Sequence, residues 1–282
     1  MALTQKPSGA LKKLVDVGKK QSRVLGSVER YVISKPQDQS RRTDVLHPSE
    51  MVKKDWCYRA SYFQLQGHKP MQKRTSSLRM ESVFAEGHYI HAKWQKWFQE
   101  MGVLNGKWYC IECDEYFWGG SDCHDGPLEY NEVPLFYEPL RISGHADGWL
   151  TSLGDPLMLE VKSIGIGTIR WEAPDLVREH NGDMEAMWAD IKAPFMNHIT
   201  QVQMYMKLAE LLELPEHPQE AVLIYENKAN QEAKEFVVPK SDFATASLFD
   251  AAAMIMESLN TNTAPSCNVA NGGCAKCKGY YE

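Results

Sequence analysis

Three residues in one short stretch could do chemistry together: Asp147, Glu160 and Lys162, all within Arg141–Ser163, RISGHADGWLTSLGDPLMLEVKS. The stretch reads as two β-strands joined by a turn at Gly154-Asp155-Pro156, a combination suited to a hairpin. Each strand carries charge where a buried strand should not: Asp147 precedes Trp149 and Leu150, and Glu160 and Lys162 flank Val161. Strand side chains alternate with period two, so Glu160 and Lys162 share a face, and the turn would bring Asp147 towards them. Two carboxylates and a lysine on one face can hold a divalent metal and orient a water. The same residues could equally be an ion pair on a half-exposed sheet, and the hairpin alone leaves both readings open.

The second set with chemical potential is the cysteines. The seven fall in groups: Cys57 alone; Cys110, Cys113 and Cys123; then Cys267, Cys274 and Cys277. The N-terminus lacks the apolar core of a secretory signal, so a cytoplasmic chain with metal sites is expected rather than a disulfide framework. Cys110-x-x-Cys113 has knuckle spacing, and Cys123-His124 would complete a tetrahedral zinc set. Adjacent residues seldom ligate one ion together, so the fourth ligand could lie elsewhere. A small structural zinc site is favoured over unliganded thiols. Cys57 taken alone is a buried structural thiol. The tail PSCNVANGGCAKCKGYYE places Gly and Asn turns between cysteines and suits wrapping a metal or cluster.

Several elements must position these residues. Pro48 and Ser49 open a helix expected to carry Cys57 near Arg59. A long helix is expected from about Ser77 to Met101, with Val83, Ile90, Trp94 and Phe98 as its buried stripe and Gly102 as its stop. His91 lies near that stripe, and His88 with His91 is a weak zinc pair. Residues 107–124 suggest an aromatic-rich hairpin within an insertion at 103–138. Residues 168–192 read as helical and of mixed charge. Residues 193–214 form a further helix, with Pro194 near its start and Pro215 past its end. On it Gln201 and Tyr205, four apart, share a face, on this reading as a polar rim. EAVLIYENK and AKEFVVPK read as strands joined near Asn230. A last helix follows, capped by Ser241 or Asp242.

The chain has 282 residues and is 43% hydrophobic, enough for one large domain or two small ones. No apolar run approaches the ~20 residues of a membrane span. Residues 1–45 hold ten Lys/Arg against four Asp/Glu, a balance of +6; the remainder holds 21 against 33, or −12. The first 45 residues therefore read as a basic arm, with Leu11, Leu14 and Val15 on one face of a short helix and a linker near residues 34–44. The acidic remainder argues against a generic basic DNA-coating protein but not against local nucleic-acid contacts. No GxxxxGK[ST] motif occurs, so a fused P-loop motor is excluded.

Taken in order, Cys57, Gly87-x-x-x-His91, Asp147, Glu160-Val-Lys162, Gln201-x-x-x-Tyr205 and Cys267/Cys274/Cys277 resemble the RecB-like branch of the PD-(D/E)XK nuclease superfamily. The pattern is similar to the CRISPR-associated RecB-like exonucleases and their stand-alone phage relatives, and it covers residues 46–282. The resemblance implies an α/β restriction-endonuclease-like core, a mixed central sheet flanked by helices. It makes His91, Asp147, Glu160 and the Val161 carbonyl ligands of Mg²⁺ or Mn²⁺. Lys162 would orient or deprotonate the attacking water and stabilise phosphate charge. Gln201 and Tyr205 would support the site and contact the DNA strand. Cys57, Cys267, Cys274 and Cys277 would hold a 4Fe-4S cluster that joins the two ends of the domain. The Cys110/Cys113/Cys123/His124 insertion and the basic arm lie outside this pattern.

What the resemblance implies is a metal-dependent DNA exonuclease acting on single strands or DNA ends with 5′→3′ polarity, in recombination, repair or phage DNA processing. It would work in the cytoplasm of a bacterium or phage-infected host, beside a separate helicase, recombinase or single-strand-binding protein. The alternative is a non-cleaving DNA-end-binding component of a CRISPR adaptation or recombination complex.

Overall fold

The computed structural model describes residues 24–35, 41–69, 77–119 and 128–280. The chain divides into two units, one of residues 1–41 and 73–86, the other of residues 42–72 and 87–282. The first contributes α1 (Leu25–Ser34), a helix within the stretch read as an arm. The expected helix around Leu11, Leu14 and Val15 lies outside the described residues, as does most of the expected linker.

The second unit opens with α2 (Pro48–Met51) and α3 (Tyr58–Leu65). This corrects the single helix expected after Pro48: the chain breaks at residues 52–57, and Cys57 caps α3, its Sγ accepting from the Ala60 N–H. Next comes α4 (Leu78–Glu100), which runs from the first unit into the second. It ends as expected, with Gly102 in the left-handed region and the Val103 N–H reaching back to the Phe98 carbonyl. Of its expected stripe, Ile90 and Phe98 are buried and Trp94 is half-buried, but Val83 is exposed.

Strands β1 (Leu104–Asn105), β2 (Lys107–Cys110), β3 (Glu115–Trp118), β4 (Leu128–Tyr130), β5 (Val133–Tyr137), β6 (Ile142–Ala146), β7 (Gly148–Leu150) and β8 (Leu157–Ile164) follow. Three short helices, α5 (Ile166–Glu172), α6 (Pro174–Glu179) and α7 (Met184–Asp190), occupy the region of mixed charge. Then come α8 (Met196–Leu211), β9 (Glu220–Asn227), β10 (Ala233–Pro239), α9 (Ala246–Asn260) and α10 (Ala275–Lys278). Thr245, not Ser241 or Asp242, is the residue before α9, because Asp242–Ala244 form a 3₁₀ turn of their own. Among the described residues no helix is long and apolar enough to cross a membrane.

The central sheet runs β1-β7-β8-β9-β10 and is mixed, with β8 and β9 parallel and the other pairs antiparallel. Two smaller sheets, β3-β2-β4 and β5-β6, pack beside it. The parity of β8 and β9 divides the core. Met158, Ile164, Ala221, Leu223 and Tyr225 pack on the face of α8, whereas Leu159, Val161, Val222 and Ile224 pack with Ile90 and Phe98 of α4. Glu160 and Lys162 share parity with Met158, so they face α8. That helix is buried on nearly every side, Gln201 and Tyr205 included, so they are no polar rim.

One polar contact fixes α4 on its face. Glu226, at the end of β9 and 1% exposed, receives Lys93 Nζ at 2.5 and 2.6 Å and Trp94 Nε1 at 2.7 Å. A buried carboxylate is costly when a partner is removed. Lys93→Met leaves the Trp94 N–H in place, and Lys93 is itself partly exposed. A loss of about 2–3 kcal/mol is expected in urea unfolding; an unchanged midpoint would show that the pair does not hold the helix.

Candidate active site and cysteine cage

Asp147 sits between β6, which pairs with β5, and β7, which pairs with β8. The expected hairpin is therefore β7–β8 alone, and Asp147 stands at the point where the chain leaves one sheet for another. Free of a ladder position, its carboxylate turns inward. Oδ2 accepts the Val161 N–H at 2.6 Å, and Oδ1 lies 3.1 Å from His91 Nδ1. Burial pulls the His91 imidazole down, but the hydrogen bond and charge of Asp147 outweigh it and raise its pKa.

One pleat further along, Glu160 and Lys162 meet α8. Lys162 Nζ lies 2.5 Å from Glu160 Oε1 and donates to Gln201 Oε1 at 3.1 Å. Gln201 Nε2 donates to Glu160 Oε1 at 3.0 Å and to the Tyr205 hydroxyl at 2.8 Å. The i, i+4 spacing thus puts a bridging amide and its support on one face, directly over the lysine. Burial pushes the Glu160 carboxyl up to about 7, with Lys162 opposing it and Asp147 adding to it. Burial also raises Tyr205 well above the usual phenol range, so it stays neutral.

Glu160 Oε2 is buried and has no hydrogen-bond partner among the described residues. A buried carboxylate oxygen without a donor is costly, and an oxygen-seeking cation would relieve it. The donor set of Asp147, Glu160 and His91 suits Mg²⁺ or Mn²⁺. These atoms are not gathered as tightly as the thiols described below, because Lys162 and Gln201 hold Glu160 Oε1 and the Val161 N–H holds Asp147 Oδ2.

Three further residues at this site carried no sequence signal. Gln95, one turn beyond His91 on α4, donates to the Asp147 carbonyl at 3.2 Å and to Glu132 Oε1 at 3.3 Å. The Tyr130 hydroxyl donates to the same carbonyl at 2.9 Å. The Glu132 carboxyl is pushed up by burial first and by Asp147 second. Glu132 sits in a turn at positive φ, where no periodicity marks it.

The two ends of the second unit meet at Cys57, Cys267, Cys274 and Cys277, whose sulfurs all lie within 4.8 Å of one another. Among the described residues this is the one group of three or more such ligand atoms close enough to hold an ion. Cys57–Cys267 is 3.8 Å and Cys274–Cys277 is 3.9 Å. Burial pushes the Cys57 thiol up. At Cys267 burial acts the same way, but the Ala270 and Val269 N–H groups outweigh it and bring the thiol down to about 6. Asn268, which the sequence did not single out, ties the ends together: it accepts from the Tyr58 N–H at 2.9 Å and donates to the Trp56 carbonyl at 3.0 Å. The soft four-sulfur set fits zinc, iron or a cluster. An ion with Zn–S bonds of ~2.3 Å sets tetrahedral sulfurs about 3.8 Å apart. A four-iron cluster, with each thiolate on a different iron, sets them wider.

Of the second cysteine group, Cys110 ends β2 and Cys113 lies in the β2–β3 turn; the expected aromatic hairpin is β2–β3. Cys123 and His124 lie outside the described residues, so the expected zinc set is not brought together here.

Gly144 in β6 admits the Tyr205 ring. A Cβ there would stand 2.8 Å from Tyr205 Cε1 and 3.3 Å from Pro48. Gly144→Ala is expected to cost about 1–3 kcal/mol by overpacking in a urea titration. Wild-type stability in that variant would show that the ring has room to move.

Comparison with protein-family models gives no match, and neither does comparison with curated proteins. Comparison with solved structures gives matches. The crystal structure of SSO0001 aligns with a TM-score of 0.36 and 11% identity, covering 88% of this chain and 88% of that one. The alkaline exonuclease LHK-Exo from Laribacter hongkongensis aligns with a TM-score of 0.44, and LHK-Exo in complex with dAMP with 0.46, each at 11% identity over 78% of this chain and 90% of that one.

Proposed function

We propose that this chain is a metal-dependent DNA exonuclease of the RecB-like PD-(D/E)XK kind, with residues 46–282 as its nuclease domain. The observation that supports this reading is the packing of Lys162 against Glu160 and Gln201, beside Asp147, with one Glu160 oxygen lacking a donor. Opposite charges with an unsatisfied acceptor are wasteful as a structural pair and apt as a site for a cation and a phosphate.

In this reading Asp147, Glu160, His91 and the Val161 carbonyl would hold Mg²⁺ or Mn²⁺. The metal, when bound, lowers the pKa of water and neutralises phosphate charge. Lys162, with its ammonium positioned by Gln201, orients the attacking water and contacts the phosphate. Tyr205 keeps the Gln201 amide from turning. The substrate is a single strand or DNA end, with 5′→3′ polarity and a place in recombination, repair or phage DNA processing taken from the sequence resemblance. The same source supplies a cytoplasmic setting and a separate helicase, recombinase or single-strand-binding protein as partner. The basic arm and a zinc site in the 103–138 insertion belong to the proposal on the same footing.

For the four-cysteine cage the resemblance supplies a 4Fe-4S cluster. The observed 3.8 and 3.9 Å sulfur separations favour a second reading, a single tetrahedral ion. Anaerobic purification with iron, sulfide and zinc analysis separates them. Four irons and four sulfides per chain are expected for the cluster, and one zinc without sulfide for the ion. In either case Cys57→Ser should lose the metal and lower the melting temperature.

The activity test is digestion of end-labelled single strands with Mg²⁺ or Mn²⁺. Wild-type protein should release nucleotides from one end, EDTA should stop it, and Lys162→Ala should fall by at least about a hundredfold. Full activity in Lys162→Ala would remove that residue from the mechanism. DNA binding without cleavage in any metal would favour the end-binding alternative.

A further inference from the structure

A histidine outside the resemblance lies one helical turn before the amide that holds the lysine. His198 precedes Gln201 by three residues, one turn earlier on the same face of α8. Lys162 and Tyr225 are register partners on the parallel strands β8 and β9, so their side chains share the face that α8 covers. The His198 ring contacts Tyr225 edge-on, with centroids 5.4 Å apart, and lies within the electrostatic reach of Lys162. From one helix, then, Gln201 bonds Lys162 and His198 bonds the tyrosine paired in register with Lys162.

Hydrogen bonding fixes where the imidazole carries its proton. The Tyr225 hydroxyl lies 2.9 Å from the Phe195 backbone N–H and 2.5 Å from His198 Nδ1. The backbone N–H can only donate, so the hydroxyl accepts from it. Tyr225 is fully buried, and His198 Nδ1 is the one acceptor within reach of its O–H among the described residues. If Nδ1 carried the proton, the buried O–H would have no acceptor, at a cost of order 1–3 kcal/mol. The hydroxyl therefore donates to Nδ1, and the ring proton sits on Nε2. Burial, with Lys162 adding to it, depresses the imidazole to about 3, which excludes the doubly protonated ring near neutral pH. Nε2 makes no bond to a described residue, and the side chain is half-buried rather than sealed.

We propose that His198 is a phosphate-contacting residue of this site: a neutral imidazole, locked by Tyr225 in its Nε2–H form, that donates to a non-bridging oxygen of the DNA backbone beside Lys162. A neutral donor suits that place. A second cation would repel the Lys162 ammonium and compete for Glu160, whereas an N–H dipole binds the anion without disturbing their pair. The inference rests on the nuclease reading for the identity of the anion, but not for the tautomer.

The experiment has two arms. In the first, ¹⁵N NMR of histidine-labelled protein without DNA or metal, with the resonance assigned by its loss in His198→Gln, should show the Nε2–H form at neutral pH, and a tautomer mixture in Tyr225→Phe. An Nδ1–H form in wild-type protein overturns the proposal, whatever the chain's activity.

In the second, kcat/KM on single-stranded DNA should drop about 10- to 100-fold in His198→Ala and His198→Asn. It should recover substantially in His198→Gln, whose amide N–H reaches the Nε2 position. Equal activity in all variants overturns the proposal, as does equal loss in His198→Gln and His198→Asn, since a packing role would not tell those two apart. If wild-type protein cuts nothing, the nuclease reading fails by itself, and oligonucleotide binding in EDTA decides for His198: several-fold weaker binding in His198→Asn than in His198→Gln supports the contact, and identical affinities overturn it.

Discussion

The interaction on which the centre of this structure turns is the burial of Glu160. A carboxylate 3% exposed at the middle of a sheet must be charged and paired or neutral and bonded. Here one oxygen has Lys162 and Gln201 and the other has no hydrogen-bond partner among the described residues. The surroundings follow from this imbalance. Gln201 must be buried to reach both partners, Tyr205 must be buried to accept from Gln201, and Gly144 must lack a side chain so that the Tyr205 ring can approach it. An apolar core of equal volume would cost less. That a chain keeps a half-satisfied acid here is the physical basis for reading the place as a site.

A second constraint acts on the ends of the chain. Cys57 and Cys277 are separated by most of the second unit, yet their sulfurs share one cage. Loop-closure cost rises only by about 0.6 kcal/mol per doubling of length, so a cross-link this long remains feasible while restraining the unfolded chain greatly. The cage does not depend on thiols alone. Asn268 bonds both sides of Cys57, and Lys276 pairs with Asp55 at 2.9 Å. α3 docks on the core through Tyr62 and Leu65, whereas α10 is a single turn, and these contacts with the cysteines supply what its length cannot.

Much of this was legible beforehand, for identifiable reasons. Period-two alternation placed Glu160 and Lys162 on one face, i, i+4 spacing joined Gln201 to Tyr205, and Gly102 marked the end of α4. What escaped notice has no period. Glu132 and Asn268 lie in turns, and Gln95 looks like any polar residue on a helix. His198 was hidden differently, because its role comes from a tyrosine on a strand 27 residues later. Local propensity also misjudged the run after Pro48, where one helix stops at Met51 and Cys57 and Asn268 start another. Val83 fitted the stripe of α4 by spacing, yet spacing says nothing about whether a partner face is present.

The two faces of β8 divide the work between two helices. α8 meets the even-numbered residues and reaches Glu160 and Lys162; α4 meets the odd-numbered ones and carries His91. Side chains of one strand cannot bridge that division, since the sheet lies between them. Asp147 can, because it sits where pairing passes from β5–β6 to β7–β8 and is bound to neither ladder. Its Oδ1 reaches α4 through His91, and its Oδ2 reaches the backbone of β8 between Glu160 and Lys162. The angle of α4 therefore matters to a site mostly built on the opposite face. Lys93 and Trp94, fixed on Glu226, set that angle two and three residues beyond His91, and Gln95 holds the Asp147 carbonyl one residue further on. Four successive helical contacts, at His91, Lys93, Trp94 and Gln95, thus decide where one carboxylate points.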